Sequence, residues 1–321
     1  MSIRKIAKEA KVSTTTVSRV INHHPYVSDE LRERVLKVME KIDYVPNRNA
    51  VNLSNGESNI LGLVVPYTRN SCYDQLVEGI LEEATRQDKK ILMLPTYFNK
   101  DLEKDYYTLL RDKTVDGIIV TSKTHDDNFL KDLSKHGAIV TTEKTTVASI
   151  PAVYPDRESM YHEVFTYFSQ LSEIQHIFIT VNRTEESSLS TQIKTSIFKS
   201  YFPDHKIKET LIPYIFNYTD GYNLAKKLFN TYPNKMVIYC NGDEIAAGIF
   251  QAAKENNLIL NEDYYLIGED NQLISFTLGI DTVDFNLREV GRQAVTHLIN
   301  HKQGHQKIPC QFKKRSPILT R

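Results

Sequence analysis

Apolar residues recur along the first forty positions with a helical period. Ile3, Ile6, Ala7 and Ala10 fall at i, i+3, i+4 and i+7, one stripe of a short helix. Lys11 and Val12 make a turn, and Ser13 is placed to cap a second helix through its hydroxyl. That helix commits Val17, Val20 and Ile21 to the interior and leaves Thr14, Thr15, Ser18, Arg19 and Asn22 on its outer face. A third helix starts from a Ser28 cap, with Asp29 and Glu30 at the positive end of its dipole. Leu31, Val35, Val38, Met39 and Ile42 form its stripe, and Pro46 ends it by disfavouring the helical region at Val45.

From about Asn59 the pattern changes to unbroken apolar runs alternating with amphipathic segments. Strands are predicted at Ile60–Val65, Ile91–Leu94, Gly117–Val120, Ala138–Val140, Ile177–Val181, Met236–Tyr239 and Tyr264–Ile267. Helices are predicted at Gln75–Arg86, Leu102–Arg111, Met160–Leu171, Gly221–Thr231 and Ile245–Asn256. Continuous apolar strands separated by helices argue a parallel sheet covered on both faces. Two such units in series place a cleft at the carboxyl ends of the strands. The expected fold is a small all-α helix-turn-helix head, residues 1–46, and a linker, residues 47–58. An α/β body of two doubly wound parallel-sheet lobes follows, residues 59–321.

Charge sharpens the reading of the head. The chain carries 40 basic and 40 acidic residues, yet residues 1–27 hold Arg4, Lys5, Lys8, Lys11 and Arg19 against Glu9 alone. A local positive excess on a neutral protein is the footprint of a phosphate-binding surface. A helix whose wet face is short hydroxyls and one arginine suits a DNA major groove. An amphipathic hairpin belonging to a larger core is the plainer alternative, and it leaves the charge excess unexplained.

Composition sets the remaining bounds. Hydrophobic content of 40% and charged content of 25% are those of an ordinary soluble globular protein. Arg4, Lys5 and Lys8 interrupt any signal-peptide run, and no stretch reaches the length of a membrane span. Cys72, Cys240 and Cys310 are odd in number and far apart, as expected of reduced thiols in a cytoplasm. His297, His301 and His305 recur every four residues as metal ligands on one helix face would, but Gly304 weakens the helix there, and a solvated face is expected instead. Asn241-Gly242-Asp243 reads as a polar turn into a helix. No phosphate loop, nucleophile elbow or metalloprotease helix occurs, so neither an enzyme nor a cofactor is expected.

The segment VSTTTVSRVIN, the YVPN segment, Ala50-Val51-Asn52-Leu53 and Leu61-Gly-Leu-Val-Val-Pro66 together resemble the lactose-repressor/galactose-repressor family of bacterial transcription regulators. The resemblance implies a body of the type I periplasmic-binding-protein fold, with three crossings between lobes and a return to the first lobe after about Leu287. It implies a homodimer on a palindromic operator, and the absence of a leucine-heptad tail after Arg315 favours a dimer over a tetramer. Thr14, Thr15 and Arg19 are then expected at base edges, with Thr16, Ser18 and Asn22 beside them. Asn47, Ala50 and Leu53 are expected in a hinge that wedges the minor groove. Val51 stands where the family commonly has arginine.

By the same resemblance Tyr73, Glu143, Lys194, Phe216 and Asp270 are the expected contacts of a small effector in the cleft. Lys194 replaces the family's usual arginine, and Ser188 and Ser190 are candidates to share its work. The implied function is repression of a carbohydrate-utilisation operon under control of a sugar or sugar phosphate. Control by a partner protein or by a non-sugar corepressor is the alternative. A transport protein of the same body fold would lack the basic head.

Overall fold

The structure is a computed structural model that describes residues 3–22, 24–45, 56–68, 71–171, 173–205, 207–233 and 235–315. Helix α1 (Ile3–Ala10), α2 (Thr14–Ile21) and α3 (Asp29–Lys41) form the head. The predicted stripes converge: Ile6, Ala7, Ala10, Val17, Val20 and Val35 are buried together, with Leu31, Val38, Met39 and Ile42 packed around them. Ser13 caps α2, its Oγ accepting from the Thr16 backbone N–H at 3.0 Å. Ser28 holds the N-cap position of α3 without a capping bond from its hydroxyl, so Asp29 and Glu30 alone serve that helix end.

The body contains two six-stranded sheets. The first has the order β11-β5-β4-β3-β1-β2 and the second β12-β10-β9-β8-β6-β7. Sheet one comprises β1 (Ile60–Val65), β2 (Lys90–Pro95), β3 (Gly117–Val120), β4 (Ala138–Thr141), β5 (Ala152–Pro155) and β11 (His305–Ile308), all parallel. Sheet two comprises β6 (His176–Thr180), β7 (Leu211–Ile212), β8 (Met236–Tyr239), β9 (Tyr264–Glu269), β10 (Asp281–Asp284) and β12 (Gln311–Lys313). There β12 runs antiparallel to β10, the one departure from the all-parallel expectation. The chain crosses between lobes after β5, after β10 and after β11, so the segment beyond Leu287 does return to the first lobe before its last strand rejoins the second.

Helices cover both faces of each sheet. The first-lobe set includes α4 (Ser71–Arg86), α5 (Lys100–Arg111), α6 (Asp127–Leu133) and, late in the chain, α13 (Leu287–Ile299). The second-lobe set includes α7 (Arg157–Gln170), α8 (Leu189–Tyr201), the short α9 (Ile207–Thr210), α10 (Tyr218–Thr231), α11 (Asp243–Glu255) and α12 (Leu273–Leu278). α4 and α13 touch at glycines because nothing larger fits. A Cβ on Gly291 would lie 2.3 Å from the Leu76 carbonyl oxygen, and one on Gly79 would lie 1.9 Å from that of Arg288.

The three histidines do not share a face. His297 lies on α13, buried, its Nδ1 against the Gln293 carbonyl at 2.9 Å. His301 follows the helix with φ of 50°, and His305 opens β11. The expected solvated face therefore fails at His297, because the helix turns that residue against the body. Among the described residues no cluster of three metal-ligating side chains occurs.

Asp243, at the start of α11, is fully buried and ties that helix to α12 and β10. Its carboxylate accepts from the Gln272 backbone N–H at 2.7 Å, the Ser275 hydroxyl at 2.5 Å and the Thr282 hydroxyl at 2.6 Å. Burial pushes its pKa up to about 6 against the pull of these bonds. The folded protein therefore binds this proton more tightly than the unfolded chain does. The group's contribution to stability is largest below its ordinary value near pH 4 and is lost as pH rises through about 6. Replacing Asp243 by Asn is expected to destabilise the body and to flatten the stability profile between pH 4 and 6 by roughly 1–3 kcal/mol. Urea unfolding across that range measures it, and an unchanged slope contradicts the assignment.

Candidate functional site

Two surfaces carry chemistry. On the head, Thr14, Thr15 and Arg19 are exposed, while Thr16, Ser18 and Asn22 are half-buried. Thr16 is partly occupied: its hydroxyl meets that of Ser13 at 2.9 Å within the cap. Arg4, Lys5, Lys8 and Lys11 are exposed on the flanking helix and turn. Lys11 has φ of 54°, a left-handed conformation that suits glycine better. α2 thus offers hydroxyl donors and acceptors beside one guanidinium, with its apolar residues fully committed to the core. Asn47, Ala50 and Leu53 lie outside the described residues.

The second surface is a cleft between the lobes. Its walls come from the carboxyl ends of the strands: Tyr67 and Tyr73 after β1, Phe98 after β2, Thr142 and Glu143 after β4, Arg183 after β6, Asp270 after β9. Parallel strands present their carboxyl ends on one edge, so two facing sheets enclose a site there. Of the residues expected at the effector, Tyr73, Glu143, Lys194 and Asp270 line it and Phe216 does not. The Phe216 N–H donates to the Asp220 carboxylate at 2.9 Å and Asn217 caps α10, and this turn leaves the phenyl ring 45% exposed outside the cleft.

The four that converge differ in what they have left to offer. Glu143 accepts from the Ser122 hydroxyl at 3.2 Å, and burial pushes its pKa up against the fields of Lys123 and Arg183. Asp270 is buried with φ of 92°, its backbone carbonyl accepting from Gln75 of the opposite lobe at 2.5 Å. Lys194 is the surprise. Its ammonium donates to Glu269 Oε1 at 2.8 Å with only 4% of its side chain exposed. The Tyr239 hydroxyl donates to the same oxygen at 2.6 Å, and the Tyr239 ring lies under the ammonium at 4.4 Å. Burial alone would lower the Lys194 pKa, and the Glu269 carboxylate instead raises it, so the cation persists as part of an internal pair. Ser188 and Ser190 line the cleft beside it, hydroxyl to hydroxyl at 3.0 Å, with Ser188 also capping α8.

Sequence reading missed several residues of this cleft. Glu269 neighbours Asp270, but nothing in its spacing announces a partner on α8. Asn241 joins the wall through bonds to the Asn182 side chain, the Thr180 hydroxyl and the Ile215 carbonyl. Phe98 and Arg183 come from different lobes, with the guanidinium 4.7 Å from the ring centroid. Only the position of each after a predicted strand could have flagged them.

These two surfaces match known proteins. The family described as bacterial regulatory proteins, lacI family, matches residues 2–47. The family described as periplasmic binding proteins and sugar binding domain of LacI family matches residues 58–316. Catabolite control protein B of Bacillus subtilis (strain 168) is 35% identical over 315 residues, covering 98% of this chain and 99% of that protein. The NTD biosynthesis operon regulator NtdR of the same organism is 32% identical, covering 96% of this chain and 94% of that protein. The lac repressor dimer bound to operator and the anti-inducer ONPF shares the fold with a TM-score of 0.84 at 20% identity, covering 100% of this chain and 99% of that one. Among the described residues no helix is long and apolar enough to cross a membrane. The chain belongs to the LacI family, and it is a DNA-binding transcription regulator rather than an enzyme.

Proposed function

We propose that this regulator is a homodimeric, cytoplasmic repressor of a carbohydrate-utilisation operon, binding a palindromic operator under control of a small polar ligand in the cleft. The observation that carries the reading is the division of α2: every apolar residue faces the head core, and Thr14, Thr15 and Arg19 stand exposed beside a basic flank. Residues 1–46 act as the head, 47–58 as the hinge and 59–321 as the effector-binding and dimerising body. Within the hinge, Asn47 contacts DNA, Ala50 is the small residue that lets two hinges approach, and Leu53 is the minor-groove wedge.

The cleft supports the ligand half of the reading. Tyr73 provides a ring face, and Glu143 and Asp270 provide acceptors for hydroxyl groups. A sugar or sugar phosphate fits a site of aromatic walls and paired polar groups. Operator binding by the full chain, measured with sugars and sugar phosphates alone and again with dialysed cell protein added, separates ligand control from control by a partner protein. A response that needs the added protein contradicts the reading.

A substitution at Arg19 tests the DNA contact, and substitutions at Lys194 and Glu269 test the buried pair. Arg19→Ala is expected to cost about 1–3 kcal/mol at one operator position and to relax specificity there. A loss uniform across operator variants, with only the salt slope changed, would make Arg19 a phosphate contact. Lys194→Met is expected to destabilise the protein by roughly 3–5 kcal/mol, because it strands the Glu269 carboxylate. Adding Glu269→Gln should recover much of that loss, since no charge is then left buried without its partner. Additive losses in the thermal unfolding of this double-mutant cycle would show that the pair is not coupled.

A further inference from the structure

Five cations line the cleft, and four are already held by an ion pair or a side-chain hydrogen bond, while Arg183 has only the Phe98 ring and the field it shares with Glu143. Lys194 is paired with Glu269 at 2.8 Å and Lys144 with Glu158 at 2.6 Å. Lys307 bridges Asp156 at 3.1 Å and Glu158 at 3.6 Å. Arg157 lies 3.9 Å from the centroid of Phe285 and hydrogen-bonds Tyr161. Among the described residues Arg183 has neither an ion pair nor a side-chain hydrogen bond, although its side chain is half-buried against the Phe98 ring.

That arrangement is built from both lobes. Phe98 reaches the cleft mouth on two consecutive left-handed residues, Tyr97 at φ 52° and Phe98 at φ 55°. The Tyr97 N–H donates to the Pro66 carbonyl at 2.8 Å, which fixes the loop against the end of β1. Edge-on contact with Tyr67 at 5.3 Å then fixes the ring, and the ring holds the guanidinium plane. Bulky residues in this backbone region persist only where their surroundings impose them, and they concentrate at ligand sites. A partly desolvated guanidinium whose fork is unspent is stabilised when planar acceptor oxygens meet it.

We propose that Arg183, rather than Lys194, is the anion-recognising residue of the cleft, and that the effector is a hydroxyl-bearing metabolite with an anionic group, a sugar phosphate or a sugar acid. The proposal rests on the reading of the cleft as the effector site and names the chemistry of its ligand. Hydroxyls face Glu143 and the Asp270 loop, and the anion meets the Arg183 fork at the mouth. Phe98 is a positioning residue that orients the fork and spans the two lobes.

Calorimetric titration of the full chain with glucose, glucose 6-phosphate and glucuronate, and with ribose and ribose 5-phosphate, tests this directly. In the wild type a charged member is expected to bind at least about tenfold more tightly than its neutral parent, as a charge-assisted bidentate contact requires. Whether phosphate or carboxylate gives the gain identifies the source of the anion. Arg183→Ala should abolish the preference, Arg183→Lys should restore part of it, and Phe98→Ala should weaken the charged member by roughly threefold or more. A preference that survives Arg183→Ala overturns the proposal. Equal binding of neutral and charged members, with the operator response intact, overturns it while leaving the effector reading standing. Failure of every member of the panel to bind overturns both.

Discussion

Lys194 and Glu269 face each other at 2.8 Å with 4% and 7% of their side chains exposed. Taking two charges this far from water costs several kcal/mol per ion, and their attraction together with further hydrogen bonds must offset it. The Tyr239 hydroxyl supplies one such bond, and the Tyr161 and Tyr239 rings flank the ammonium at 5.1 and 4.4 Å. Because the pair joins α8 to the end of β9, it fixes the wall of the second lobe where the Asp270 loop begins. It also removes a cation from the cleft's recognition set. What the cleft can hold follows from that subtraction.

The same carboxyl-end geometry connects the cleft to the rest of the molecule. Gln75 of α4 reaches across to the Asp270 carbonyl, and Arg183 reaches across to Phe98, so both lobes contribute to each side of the mouth. On the first lobe, Asp116 holds the start of the body: its carboxylate accepts from the Ser58 and Asn59 backbone N–H groups at 2.6 and 2.9 Å and pairs with Lys89. The chain leaving the linker is therefore tied to the first lobe at Ser58 and Asn59.

How much of this was legible depended on where the signal resided. The helices of the head were readable because each carries an apolar stripe at the 3.6-residue period, and those residues form its core, although the expected Ser28 cap makes no bond. Strands such as Gly117–Val120 and Met236–Tyr239 were readable because both sheet faces are covered, leaving unbroken apolar runs. β5, β7, β10, β11 and β12 were not: Ala-Val-Tyr-Pro ends on a proline, Leu-Ile spans two residues, and Asp-Thr-Val-Asp, His-Gln-Lys-Ile and Gln-Phe-Lys carry polar residues that serve sheet edges and bonds such as that from the Arg315 N–H to Asp281. Within the cleft, the family resemblance pointed to Tyr73, Glu143 and Asp270, which line it, and to Phe216, which the Asp220 turn leaves outside it. Pairings between distant segments, Lys194 with Glu269 and Phe98 with Arg183, leave no trace in local spacing.

The central claim is that occupancy of the cleft and grip on DNA are one equilibrium. Thermodynamic linkage makes it measurable from both sides: if a ligand changes operator affinity by some factor, operator must change ligand affinity by the same factor. Fluorescence anisotropy of labelled operator, with and without saturating effector, gives one factor. Calorimetric titration of that effector into free and operator-bound protein gives the other. The account expects the two to agree and to exceed about fivefold, the lower end of usual allosteric coupling. An effector that binds free and operator-bound protein with equal affinity would contradict it.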